Sequence, residues 1–211
     1  SGHPGVYDFD VHEQQPHIVF SPYIQELVRS LCAHTDDPME KARCFYDFIT
    51  KNVKYSFMRD YFCLTGIAEH CARSLTGDCG VQALLFITLC RAAGIPARWQ
   101  SALFASPLSV GAHDWAEFYV EPYGWLFADP SFGGGSERHG NEAQRQFYFG
   151  NLDPFRMVAN REFYAPFVPD MAFFRADPYD NQTGEAEYED GPLCHDDCTR
   201  RQVMLDWKKI V

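Results

Sequence analysis

Apolar residues along the first ninety or so positions recur at helical spacing. Between Pro22 and Ala33, Ile24, Leu27, Val28 and Leu31 fall on one face, the period of a half-buried helix. Asp37-Pro38-Met39-Glu40 reads as a helix start: Asp is a cap type, Pro suits the first helical position, and Glu stands three beyond the cap. That helix is predicted to reach Asn52, with Ala42, Phe45, Tyr46 and Ile49 turned inward. Tyr55 to Tyr61 reads as irregular or briefly extended, and Thr65 as the cap of a short helix through Arg73. The run from Val81 to Ala93 differs from these. It is apolar almost all the way round, which marks a buried helix. Gly94 and Pro96 are its stop signals. Gly77 and Asp78 are turn and cap types, so Cys79 falls in its first turn.

After Pro96 the pattern changes. Ala97 to Phe104, His113 to Glu121 and Trp125 to Asp129 are rich in aromatic and β-branched residues, broken by Pro107, Gly111, Pro122 and Gly124. They read as strands, the last two joined as an antiparallel hairpin through Pro122-Tyr123-Gly124. Gly133-Gly134-Gly135 reads as a flexible connection; with no Lys-Ser/Thr after it, it is no phosphate loop. A short helix is expected from Asn141 to Phe149, closed by Gly150, and further strands from Met157 to Phe174. Asp177 to Gly191 is acidic and turn-rich, but its carboxylates do not fit the spacing of a calcium loop, so an exposed loop is expected. Asp197 is placed as the cap of a final helix to Ile210, its stripe of Val203, Met204, Trp207 and Ile210 docked on the domain or facing an absent one. The expected class is α+β. Residues 1–35 form a polar lead-in and first helix, and 36–211 one compact domain with a C-terminal extension.

Composition narrows the possibilities. A chain of 211 residues can bury a sizeable core, and 46% hydrophobic with 22% charged residues is ordinary for a globular protein. Aromatics at 16% point to a well-filled core or an aromatic groove. A net charge of -11 argues against nucleic acid and anionic membrane surfaces as partners. No apolar run is long enough to span a bilayer and no signal pattern is present. The start at Ser1-Gly2, not Met, reads as a piece of a longer chain. Four of the eight cysteines, Cys32, Cys44, Cys71 and Cys90, lie in helix-like patterns, so a reducing, cytoplasmic compartment is expected rather than a disulfide framework. Cys194-His195-Asp196-Asp197-Cys198 holds zinc-ligand types. A structural site needs a second ligand pair, and with none evident the expectation is free thiols and no metal.

Cys79 is the candidate nucleophile. The reactive form of a cysteine is the thiolate, and the unpaired N–H groups and dipole at a helix start favour an anion. The competing reading is one more buried thiol. A cysteine nucleophile also needs a base that protonates the leaving amine and a group that orients the base. His113 opens the second strand and Asp129 closes the third; in a hairpin the end of one lies beside the start of the other. Alternation puts His113, Trp115, Glu117 and Tyr119 on one face, and Trp125, Phe127 and Asp129 on one face of the third strand. A helix packed there would carry Cys79 to the imidazole. Against this, a His before a Trp is often structural, and Asp-Pro commonly opens a turn.

Four segments in order, Gly77-Asp78-Cys79-Gly80, Gly94-Ile95-Pro96-Ala97-Arg98, His113-Asp114-Trp115-Ala116-Glu117 and Gly124-Trp125-Leu126-Phe127-Ala128-Asp129-Pro130, resemble the bacterial members of the transglutaminase-like superfamily. The resemblance runs over about residues 36–132. Phe149 to Pro154 and Asp177 to Gln182 are similar to extensions of some members. It implies a papain-like α+β fold, with a helical N-terminal part and the nucleophile helix packed on an antiparallel sheet. It also implies Cys79 as nucleophile, His113 as base and Asp129 as acid, with no cofactor. The calcium dependence of animal transglutaminases is not carried over, because their extra β-domains have no match. The Cys79 N–H is one expected oxyanion donor. Tyr61 is the second, with Tyr55 competing and core packing the alternative for either. Trp99, Gln100 and Trp115 are expected along a substrate groove or in the core, and Arg98 in a structural ion pair.

The implied reaction is acyl transfer from a peptide or protein amide through a Cys79 thioester. Hydrolysis is favoured over transamidation, since competing water is always present. The alternative is a binding module that keeps the fold without turnover.

Overall fold

The computed structural model describes residues 5–175, 179–180, 182, 184–193 and 197–209. Along the chain run α1 (Pro22–Leu31), α2 (Pro38–Asn52), β1 (Lys54–Tyr55), α3 (Ile67–Ser74), β2 (Thr76–Gly77) and α4 (Cys79–Ala92). Then come β3 (Ala97–Ala105), β4 (Val110–Val120), β5 (Gly124–Ala128), α5 (Pro130–Arg138), α6 (Glu142–Phe147), β6 (Phe149–Gly150), β7 (Arg156–Asn160), β8 (Glu187–Tyr188) and β9 (Gly191–Pro192). The chain forms two compact units, Ser1–Trp99 with Asp114–Leu152, and Gln100–His113 with Asp153–Val211. Helices with antiparallel strands make it an α+β protein.

Helix α4 is the centre of the first unit. Every residue from Gly80 to Arg91 is buried, and α1, α2, α3 and α5 all pack on it. Leu84, Leu85, Phe86, Ile87 and Leu89 are wholly buried, each stabilising the fold by about 1.5–3 kcal/mol before the cost of ordering. In the antiparallel β4–β5 hairpin Ala116 pairs with Ala128, and Val120 with Gly124. β6 continues that ladder, with Phe149 beside Ala128. Phe118 of β4 meets the edge of Phe86 in α4, ring centroids 5.6 Å apart. The lead-in is part of this unit: Asp10, His17 and Ile18 are buried, and Arg91 donates to the His12 carbonyl at 3.0 Å. Arg98 pairs with Glu117 and lies 3.8 Å over the Trp125 ring.

The triple glycine is not a connection. Asp129 caps α5 and Pro130 is its first residue, so Gly133, Gly134 and Gly135 are helical. Space is the reason. A Cβ on Gly133 would stand 2.0 Å from the Tyr46 hydroxyl and 2.9 Å from Thr50 Cγ2 of α2. Close helix packing thus overrides glycine's helix penalty of about 1 kcal/mol per residue.

In the second unit β3 pairs antiparallel with β7, Ala102 opposite Val158 and Phe104 opposite Arg156, with an irregularity between Ser101 and Ala102. Of the strands expected from Met157 to Phe174, β7 alone forms; Pro166 and Pro169 follow it, and proline removes a ladder donor. Part of the acidic stretch forms the two-residue β8–β9 ladder. The final helix is absent: Arg201–Lys209 has no regular structure. Of its expected stripe, Val203 is 49% and Trp207 59% exposed, and a helix that short is marginal by itself. Ile210 and residues 194–196 of the proposed zinc cluster lie outside the described residues. Among the described residues no helix is long and apolar enough to cross a membrane.

Candidate active site

The start of α4 is built by its cap. Asp78 Oδ1 accepts the Val81 backbone N–H at 3.0 Å and the Tyr61 hydroxyl at 2.6 Å. Cys79 is the first helical residue and is half-buried. The two-residue parallel pair of β1 with β2 sets Tyr55 beside Gly77, just before the cap. Gly80 leaves no room for a side chain. A Cβ there would stand 2.2 Å from the Tyr61 hydroxyl, 2.8 Å from the Trp99 ring and 2.9 Å from Asp114 Oδ2. Those three side chains therefore converge on the first turn of α4. The Cys79 sulfur donates to Asp114 Oδ2 at 3.5 Å.

The electrostatics oppose the expectation of a stabilised thiolate. Burial pushes the Cys79 thiol well above its ordinary value. The carboxylates of Asp114 and Asp78 push the same way; a hydrogen bond from the Asp114 backbone opposes them, and Asp129 adds a smaller upward push. A helix N-terminus favours an anion by about 0.3–1 kcal/mol, or up to ~2 kcal/mol where partly buried; burial and the two carboxylates act against it, in favour of the thiol. Burial likewise raises the Tyr55 phenol, with Cys79, Asp78 and Asp114 adding to it. Burial raises Asp78 itself, against the hydrogen bonds from Tyr61 and Val81.

Asp129 ends the hairpin and is fully buried. Its Oδ1 accepts the Phe132 N–H at 2.9 Å, and its own N–H donates to the Tyr148 carbonyl at 3.0 Å. Burial, and then the Asp129 charge, push the Tyr46 phenol up; the Tyr46 hydroxyl donates to the Arg145 carbonyl at 2.7 Å. His113 is buried in β4 and ends the first segment of the second unit. Gln100 is buried in that same unit. Trp99 and Trp115, of the first unit, are buried too. The first unit thus gathers Tyr61, Asp78, Trp99 and Asp114 around Cys79, with Asp129 near enough to act through its charge.

Alternation along β4 groups His113, Trp115, Glu117 and Tyr119 on the face expected to meet the helix, but contacts to α4 come from the other face as well. Phe118 meets Phe86 of α4 and Asp114 meets Cys79, while Glu117 pairs with Arg98 and Tyr119 with Trp125 at 5.6 Å. The signal was available: Asp114, Ala116 and Phe118 share a face, and two of the three are small or apolar. Asp114 was the residue missed, hidden as the variable position of a His-x-Trp motif. Among the described residues no group of three His, Cys, Asp or Glu side chains is arranged to hold a metal ion.

A model of the transglutaminase-like superfamily matches residues 25–130, a span that takes in Cys79, His113 and Asp129. A search of curated proteins finds no match. Among solved structures, a candidate cysteine protease from Cytophaga hutchinsonii is 25% identical, with 58% of this chain and 40% of that one covered and a TM-score of 0.49. The periplasmic domain of TgpA from Pseudomonas aeruginosa is 19% identical, covering 65% of this chain and 50% of that one, at a TM-score of 0.49. The chain spans half or less of the length of either.

Proposed function

The chain belongs to the transglutaminase-like superfamily, and from that premise we propose that it is a thiol-dependent acyl-transfer enzyme acting on amide bonds, a cysteine protease or amidase. The observation that carries this reading is Cys79 standing first on a buried, Asp-capped helix inside the matched span. Cys79 rests as a thiol. His113, the base by family position, takes the sulfur's proton as the sulfur attacks the amide carbonyl. The Cys79 N–H receives the developing oxyanion. The Tyr61 hydroxyl is the second donor, turning from Asp78 to do so. Protonated His113, steadied by Asp129, hands its proton to the leaving amine, and a thioester remains on Cys79. Water then releases the acid; a second amine would give transamidation instead. Hydrolysis is the favoured outcome because water needs no site of its own. Trp99 and Trp115, both buried in the first unit, back the substrate groove. The partner is a peptide or protein amide, since the net charge of -11 disfavours nucleic acid and anionic membranes. All seven cysteines among the described residues are free thiols, which fits a reducing, cytoplasmic setting.

One observation favours a second reading, a peptide-binding module without turnover: burial and carboxylates hold the sulfur protonated. Incubation with a library of peptide amides, with and without a primary amine, separates the two. Mass spectrometry should find cleaved or amine-coupled product that disappears in Cys79→Ala. Product that survives in Cys79→Ala contradicts the enzymatic reading, and peptide binding with no product from the wild type replaces it with the binding module.

A further inference from the structure

Asp114 is the carboxylate aimed at the sulfur. Its Oδ2 accepts from Cys79 Sγ at 3.5 Å, the side chain is 2% exposed, and the same oxygen would stand 2.9 Å from a Cβ on Gly80. The other adjacent carboxylate, Asp78, is already engaged by Tyr61 and the Val81 N–H. The titratable groups of the first unit set around the sulfur are Tyr55, Tyr61, Asp78 and Asp114, with Asp129 acting from further off. Every one of them is acidic. A thiol can donate its proton to a carboxylate, whereas a thiolate there meets a like charge in a partly desolvated place, where repulsion is strong.

We propose that Asp114 is a further catalytic residue, a carboxylate that keeps the Cys79 sulfur protonated until the base removes the proton during attack. This rests on the reading of Cys79 as nucleophile. In that step the S–H bond breaks and its proton passes to the imidazole of the base. The sulfur's electron pair forms the bond to the carbonyl carbon, whose π pair moves onto the oxygen as the oxyanion. Asp114 gains no proton; it loses a hydrogen bond and faces a sulfur that stays neutral in the acyl adduct. The unoccupied enzyme is thereby guarded against stray electrophiles and oxidants, which react with thiolates.

Site-resolved iodoacetamide labelling against pH tests this without any substrate, so its result is independent of whether amide turnover is found. In the wild type, Cys79 should reach half-rate at a higher pH than the exposed Cys63 of the same molecule. In Asp114→Asn, which keeps the shape, and in Asp114→Ala, that midpoint should fall by about one pH unit or more, with near-UV circular dichroism unchanged. A wild-type midpoint at or below that of Cys63 overturns the proposal. So does an unchanged or raised midpoint in either folded variant, which would make Asp114 a bystander or a promoter of ionisation.

Discussion

Helices α4 and α5 of the first unit begin alike. Each starts behind an aspartate cap whose Oδ1 accepts an N–H three residues on, Val81 at 3.0 Å and Phe132 at 2.9 Å. Each has a glycine in its early turns pressed against a tyrosine hydroxyl, Gly80 against Tyr61 and Gly133 against Tyr46. They differ at the first helical position. In α4 it is Cys79 and in α5 it is Pro130. Proline there is a purely conformational choice; cysteine supplies a reactive atom, and only at α4 does a further carboxylate, Asp114, reach that atom. The lesson is that capping and packing build two equivalent platforms. Chemistry depends on one substitution and on what the neighbouring strand presents to it.

The sharpest way to break the comparison is to remove the atom that distinguishes the two starts. Cys79→Ala should lower amide turnover by ~10⁴-fold or more while leaving the melting temperature close to wild type; retained turnover would erase the distinction. Next come the caps. Asn caps as well as Asp does, so Asp78→Asn and Asp129→Asn should both stay folded. Asp129→Asn should nevertheless cost ~10²-fold or more in kcat through misorientation of the base, while Asp78→Asn should lower the pH of half-labelling at Cys79. Equal effects of the two variants on both readouts would show that the caps are interchangeable.

The glycines give a smaller effect. Gly80→Ala and Gly133→Ala should each destabilise by about 1–3 kcal/mol through overpacking, or roughly 2–12 °C in Tm for a chain of this size. Gly80→Ala alone should also disturb labelling of Cys79, because Asp114 must shift to admit the methyl group. The smallest effect is an alkaline slope. The folded protein holds the Cys79 thiol above its ordinary value, so its contribution to stability is complete below the unfolded thiol's pKa of about 8.5 and fades as the pH rises past it. Between pH ~8.5 and ~10 the melting temperature should fall more steeply for the wild type than for Cys79→Ser. Pro130 has nothing to titrate, so α5 adds no such slope.

Much of the first unit was legible because its signals are local. The Pro38 and Cys79 helices carry their own caps and apolar patterns, and the hairpin carries Pro122 and Gly124 between two aromatic runs. The four motif segments were equally readable, and the family followed from them. What failed depends on distant partners. Nothing beside Gly133 in sequence says that Tyr46 needs its space, so three glycines read as a loop. Val203 and Trp207 of the terminal stripe stay largely exposed, with no packing surface to make that stripe a helix. The Asp114 contact needed knowledge that the Asp114 and Phe118 face of β4 also reaches α4, while the motif pointed to His113 and Trp115. The thiol's raised proton affinity was missed with it, since a helix start alone argues for an anion.

The central claim is that an acyl group is carried on the Cys79 sulfur. Mass spectrometry of the protein quenched in acid after mixing with an activated peptide ester answers it directly. The expected result is a single acyl adduct mapped to the peptide holding Cys79, released by hydroxylamine as a thioester must be, and missing from Cys79→Ala. An adduct on another cysteine, or one equally abundant in Cys79→Ala, would contradict the account.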